Sequence, residues 1–207
     1  MRYPFFASFI IFLFVLAHAI RRGRRLRDRM EGDFWNREEE ANSTRRKPLD
    51  DLLYIRIPLD RLPMTVCSDS AEVRGCVAMI MTLSEEKIVN LTGLTNTDLK
   101  LMYGAPNLPE LTLYDENFTL LVQTLQKWST LLWEAGEREA AVCIMEYEVE
   151  IRADAGSAYR RLAAYYRETG QPERIEELRK SASMLRSLSR NSILRSLDAP
   201  GGGKDSP

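Results

Sequence analysis

The sequence predicts a mainly α-helical protein held to a membrane by its N-terminus, and three observations carry that prediction. An apolar run from Tyr3 to Ile20 stops against a cluster of arginines. Beyond residue 70, apolar side chains recur at the i, i+3, i+4, i+7 spacing of a single helix face. Gly136 and Gly170 stand 34 residues apart, and the residues around them correspond.

Residues 1–20 read as a transmembrane anchor, because the run approaches the length of about 20 helical residues that crosses a bilayer core. Arg21, Arg22, Arg24, Arg25, Arg27 and Arg29 come directly after it, whereas only Arg2 and the α-amino group precede it. Cationic loops stay on the cytoplasmic side, so the body after Arg21 is expected in the cytoplasm. The same cluster would attract anionic lipid headgroups, at about 1 kcal/mol per residue near the surface. A rival reading is a cleaved signal peptide, with Met1-Arg2 as its charged start and Ala17-His18-Ala19 as its cleavage site. Positive charge directly after that cut opposes translocation. On the rival reading the chain is an exported or surface-exposed structural protein.

Residues 21–50 form a charged juxtamembrane stalk and linker, interrupted by Phe34 and Trp35, which suit either the lipid interface or a dock on the folded body. Asn42-Ser43-Thr44 through Pro48 has linker composition. Residues 51–110 read as a mixed extended and helical segment packing on the C-terminal helices. Leu53, Ile55, Ile57 and Leu59 alternate with polar residues at strand period, and Ile88–Leu91 is a candidate partner. Ser70 precedes a helix whose inner face is Val73, Cys76, Val77, Ile80 and Ser84. Asn96 or Thr97 can cap a short helix from Asp98 to Tyr103, which Gly104 ends. Pro106 and Pro109 mark a loop.

Residues 111–198 hold the C-terminal helices. Asp115 is the expected N-cap of a helix facing inward through Phe118, Leu121, Val122, Leu125, Trp128 and Leu132, closed by Gly136. A second helix turns Ala141, Ile144 and Met145 inward. Ser157 is the expected cap of a third, with Tyr159, Leu162, Ala163 and Tyr166 inward, closed by Gly170. Pro172 sits in the first turn of a fourth, where its missing amide costs nothing, and Ile175, Leu178, Ala182 and Leu185 form its inner face. A final helix presents Ile193, Leu194 and Leu197 as an end cap. Residues 199–207 read as a disordered tail; its glycine triplet precedes no helix, so it is no phosphate loop.

Across the 34-residue offset Trp128 matches Leu162, Ser129 matches Ala163, Leu132 matches Tyr166 and Ala141 matches Ile175. This series resembles the tetratricopeptide repeat. Glu148 and Ile175 depart from it, standing where that family prefers a small residue, and neither repeat ends in proline. The resemblance implies TPR-like helix hairpins and a protein-binding groove on the first helix of each pair. Its candidate residues include Lys127, Thr130 and Trp133 on one helix, with Arg160, Arg161 and Arg167 on the other.

Composition narrows function further. Basic and acidic residues number 29 and 30, so no nucleic-acid partner is expected. Cys67, Cys76 and Cys143 match no metal-ligand spacing or disulfide framework, although Cys67 and Cys76 could pair if the body were exported. The one histidine, His18, lies in the apolar run, which leaves the body without the usual general base. No glycine-rich fingerprint or nucleophile elbow appears. Neither an enzyme, a cofactor nor a metal is expected. The reading that remains is a membrane-anchored adaptor for a protein partner, itself expected in a membrane complex.

Overall fold

The structure is a computed structural model that describes residues 12, 16, 18, 20–22 and 32–198. Most of the apolar run, the arginines at 24, 25, 27 and 29 and the C-terminal tail lie outside the described residues. Phe12, Leu16, His18, Ile20, Arg21 and Arg22 are helical and exposed. Among the described residues, no helix is long and apolar enough to cross a membrane. The protein is mainly helical, as the periodicity predicts.

The chain divides into two units. The first comprises Met1–Pro48 and Thr95–Leu108, the second Leu49–Leu94 and Pro109–Pro207. The short helix that the sequence reading places in residues 51–110 belongs to the first of these units.

In the first unit, α1 (residues 32–43) pairs with α3 (Asn96–Tyr103). Thr95, rather than Asn96 or Thr97, caps α3: its hydroxyl accepts from Asp98 N, and Asp98 bonds back to Thr95 N, a reciprocal capping box. Asp98 is thereby held below the usual carboxylate range, chiefly by the Thr95 hydrogen bonds. Arg37 pairs with Asp98 at 2.6 Å, and Glu38 takes Lys100 and the Thr97 hydroxyl. Thr97 is thus a bridge to α1 and not a cap.

Gly104 then turns the chain at φ 93°, and a Cβ there would lie 2.2 Å from the Arg45 carbonyl oxygen. Only glycine tolerates both demands. A 3-10 turn, Ala105–Asn107, comes next. Asn107 is fully buried, and its amide donates to the carbonyls of Lys47 and Tyr103. Phe34 and Trp35 stack edge to face at 5.4 Å and are both exposed.

The second unit opens with an extended stretch. The alternation at Leu53–Leu59 does not yield a strand: a single antiparallel bridge joins Tyr54 to Val89, with Ile55 N bonded to Ile88 O at 2.9 Å. Leu53, expected on the buried face, is 84% exposed. Pro58 lacks the donor that would extend the ladder, and a turn begins there, with Arg61 N bonded to Pro58 O.

Helix α2 (Ala71–Ser84) is capped by Ser70 and buries Val73, Cys76, Ile80 and Leu83, so Leu83 takes the inner position expected of Ser84. Helix α4 (Leu108–Glu134) starts seven residues before the expected cap (115 against 108). Pro109 stands in its first turn instead of marking a loop, since proline is tolerated there. Asp115 lies inside α4 and accepts from Leu91 N at 3.1 Å.

Helices α5 (Arg138–Glu150), α6 (Gly156–Glu168), α7 (Pro172–Ser183) and α8 (Arg190–Asp198) complete the unit, and α6 packs against all three others. Gly156, not Ser157, begins α6, with no side-chain cap. The core is the inward face the sequence marks: Phe118, Leu121, Trp128, Leu132, Ile144, Met145, Tyr159 and Leu162 are all buried in one cluster. Three helix ends share one geometry. Gly136 closes α4 at φ 87°, Gly170 closes α6 at φ 69°, and Arg152 closes α5 at φ 58°. In each, the next residue's amide reaches back five positions: Glu137 to Leu132 O, Gln171 to Tyr166 O and Ala153 to Glu148 O.

Candidate functional site

Pro172 starts α7 and sets Arg174 within its first turn. From there the Arg174 guanidinium donates to Glu146 on α5 and to the Tyr166 hydroxyl on α6 (3.1 Å), 5.3 Å from the centre of the Tyr166 ring. The Tyr166 hydroxyl in turn donates to Glu146 Oε1 at 2.5 Å. Three helices are therefore pinned at one polar node. Burial, reinforced by the bond to Glu146, pushes the Tyr166 phenol up to about 12. The bonds to Tyr166 and Glu146 hold Arg174 above its ordinary value. At neutral pH Arg174 is therefore a fixed cation and Tyr166 a neutral phenol.

The node forms one wall of an open groove of about 470 Å³ between α5 and α7. Arg61 and Glu150, paired at 2.5 Å and both more than half exposed, form its rim. Such an exposed pair contributes little to stability and is free to exchange partners. Cys143 donates its thiol to the Arg61 carbonyl at 3.3 Å. Burial raises its pKa, so it stays a thiol and a poor nucleophile. Leu62, Val149 and Leu178 supply apolar wall.

The residues expected on the first-helix face are only partly brought together. Arg161 on α6 reaches Thr130 on α4, donating to its hydroxyl at 3.2 Å. Arg167 donates to the Leu197 carbonyl at 2.8 Å, placing its charge at the C-terminal end of α8, where a cation is favoured. Trp133 is half-buried with Arg138 5.3 Å from its ring centre. Lys127 and Arg160 are exposed. Behind this face lies Glu148, wholly buried, accepting from the Ser129 hydroxyl at 3.3 Å through Oε1 while Oε2 has no hydrogen-bond partner. Burial pushes the Glu148 carboxyl up to about 8, against the pull of Ser129 and Arg161.

Sequence reasoning passes over the groove because Arg61 and Glu150 are 89 positions apart and the segment carrying Arg61 has no regular structure. Tyr166 and Arg174, which flank Gly170, are the signal that could have pointed to it. Among the described residues no group of three or more acidic, cysteine or histidine side chains is placed to hold a metal. No protein-family model matches the chain, and the comparisons with curated proteins and with solved structures found no significant similarity.

Proposed function

We propose that the chain is a membrane-tethered protein-interaction adaptor whose TPR-like helical body presents the α5–α7 groove to a partner in a membrane complex. The tether rests on the apolar run and its flanking arginines, which favour a cytoplasmic body. Confinement to the membrane raises the local concentration of a partner there and compensates for modest affinity. The observation that carries the binding role is the groove itself, with an apolar floor and wall, a rigid Arg174–Glu146–Tyr166 node and a loosely held Arg61–Glu150 rim. A rigid wall costs no ordering on binding, while the exposed rim pair can re-pair with charges on the incoming chain. The resemblance to tetratricopeptide repeats favours the same class of function but the other face. There Arg161, Arg167 and Trp133 are already engaged within the fold.

The test is site-specific photo-crosslinking in cells producing the full chain. The crosslinker is placed at Glu177 or Ser181 in the groove, and at Lys127 or Arg160 on the opposite candidate face. One adduct of constant mass from the groove positions, lost in Arg61→Glu, supports the reading. Adducts only from Lys127 and Arg160 would move the site to the first-helix face. Adducts from neither would sink the adaptor role. Retention of the full chain in the membrane fraction after an alkaline wash, lost on deleting residues 1–20, tests the tether.

A further inference from the structure

A second hollow, of about 300 Å³, lies at the turn that leaves α5 and the turn that enters α8. Arg152 and Arg186 line it, together with Ile55, Leu185 and Ser187. Arg152 is in the left-handed conformation at φ 58°, in the position that Gly136 and Gly170 occupy at the ends of α4 and α6. A side chain there is sterically disfavoured, so the fold would be easier to build with glycine. The turn is nonetheless held firmly, because the Asn90 amide donates to the carbonyls of both Ile151 and Arg152 at 3.2 Å. Arg186 packs closely on Gly93, where a Cβ would lie 2.8 Å from Arg186 Cβ.

The hollow is lined by two arginines and two carboxylates, and they differ in their partners. Glu150 pairs with Arg61 at 2.5 Å and Asp154 accepts from the Ser189 hydroxyl at 3.4 Å. Neither Arg152 nor Arg186 has an ion pair or side-chain hydrogen bond among the described residues. The Ser187 hydroxyl oxygen is shielded from solvent and has no hydrogen-bond partner. Two uncommitted guanidinium forks match an oxyanion in two places each. A strained residue at a cavity, held by its surroundings, is where a functional constraint is expected.

We infer that this hollow is a binding site for a phosphate monoester attached to a short apolar group, with Arg152 and Arg186 holding the phosphate and the Ile55 and Leu185 wall taking the apolar part. The source is a soluble ester or a lipid headgroup of the same chemistry. The site shares only Glu150 with the α5–α7 groove and its two arginines lie outside that groove, so its failure leaves the adaptor reading intact.

Calorimetric titration of the full chain with hexyl phosphate tests it, with hexyltrimethylammonium and inorganic phosphate as comparison probes. Hexyl phosphate is expected to bind, inorganic phosphate at least tenfold more weakly, and the ammonium amphiphile not at all. Arg186→Gln is expected to weaken binding at least tenfold. Arg152→Gly is expected to do the same while raising the melting temperature, a combination that a purely structural arginine would not give. Competition by vesicles containing phosphatidic acid, and not by neutral vesicles, would assign the lipid source; no competition assigns the soluble one. Undiminished binding in both variants, equal binding of the ammonium probe, or no binding by a chain that melts normally would overturn the site.

Discussion

Ser129 and Glu148 meet inside the hairpin of α4 and α5, hydroxyl to carboxyl oxygen at 3.3 Å, with Glu148 wholly removed from water. A buried carboxyl with one oxygen unpartnered is stable only when protonated. Its value of about 8 in the fold, against an ordinary 4.5, means that the folded chain holds a proton the unfolded chain releases between those two pH values. Stability contributed by the neutral acid is therefore full below about 4.5 and declines as pH rises toward 8, by up to about 1.4 kcal/mol per pH unit. Denaturant midpoints at pH 5 and pH 8 should differ accordingly. Glu148→Gln, which cannot ionise, should flatten that difference. An equal slope in the variant would assign the pH dependence elsewhere.

The Arg174 node ties α5, α6 and α7 through one phenol, so Tyr166→Phe removes a donor to Glu146 and an acceptor for Arg174 together. The expected loss is about 1 kcal/mol, because the partners are half-exposed and water can replace the hydroxyl. A double-mutant cycle with Arg174→Met should return a coupling of at least about 0.5 kcal/mol. Arg174→Lys should behave like the methionine variant, since an ammonium cannot serve Glu146, Tyr166 and Glu177 from one plane. Additive single mutants would mean that the node is not a coupled unit.

Glycines with similar φ are not equivalent. Gly136→Ala meets open space, so it should cost only the backbone strain of about 1 kcal/mol. Gly104→Ala adds a collision with the Arg45 carbonyl at 2.2 Å, and a cost on the order of 3 kcal/mol is expected. Hydrogen exchange reads the difference locally. The Lys47 amide, bonded to Tyr103 O, and the Ala105 amide, bonded to Thr44 O, should lose protection in Gly104→Ala and keep it in Gly136→Ala.

These positions also mark how far the fold is legible in the sequence. Apolar periodicity carries the inner faces of α2 and α4 to α8, because a 3.6-residue stripe needs no knowledge of its partner. Gly136 and Gly170 disclose two helix ends, since glycine advertises the left-handed turn. Arg152 makes the same turn without that advertisement, so the third end is invisible in the letters. The alternation at Leu53–Leu59 looks like a strand only because pattern does not report whether a neighbour supplies the ladder. Glu148 shows in the sequence as a departure from a small-residue position, but its burial depends on Ser129 and on packing. The groove rim joins Arg61 to Glu150 through tertiary structure alone.

Three cations of the first-helix face, Lys127, Arg160 and Arg161, should separate into two classes when their charges are reversed. Lys127 and Arg160 are exposed and form no ion pair among the described residues. Lys127→Glu with Arg160→Glu should therefore leave stability within about 0.5 kcal/mol of the parent. Arg161 is different, because it bridges to Thr130 and its charge eases the ionisation of Glu148. Arg161→Glu removes that bridge and places a second acid near a buried one. It should destabilise the fold by roughly 1–2 kcal/mol and raise the Glu148 value further, steepening the loss of stability toward pH 8. Arg161→Gln should fall between the two. If Arg161→Glu melts like the parent at both pH 5 and pH 8, the link between this face and the buried acid does not exist, and all three cations are surface charges alike.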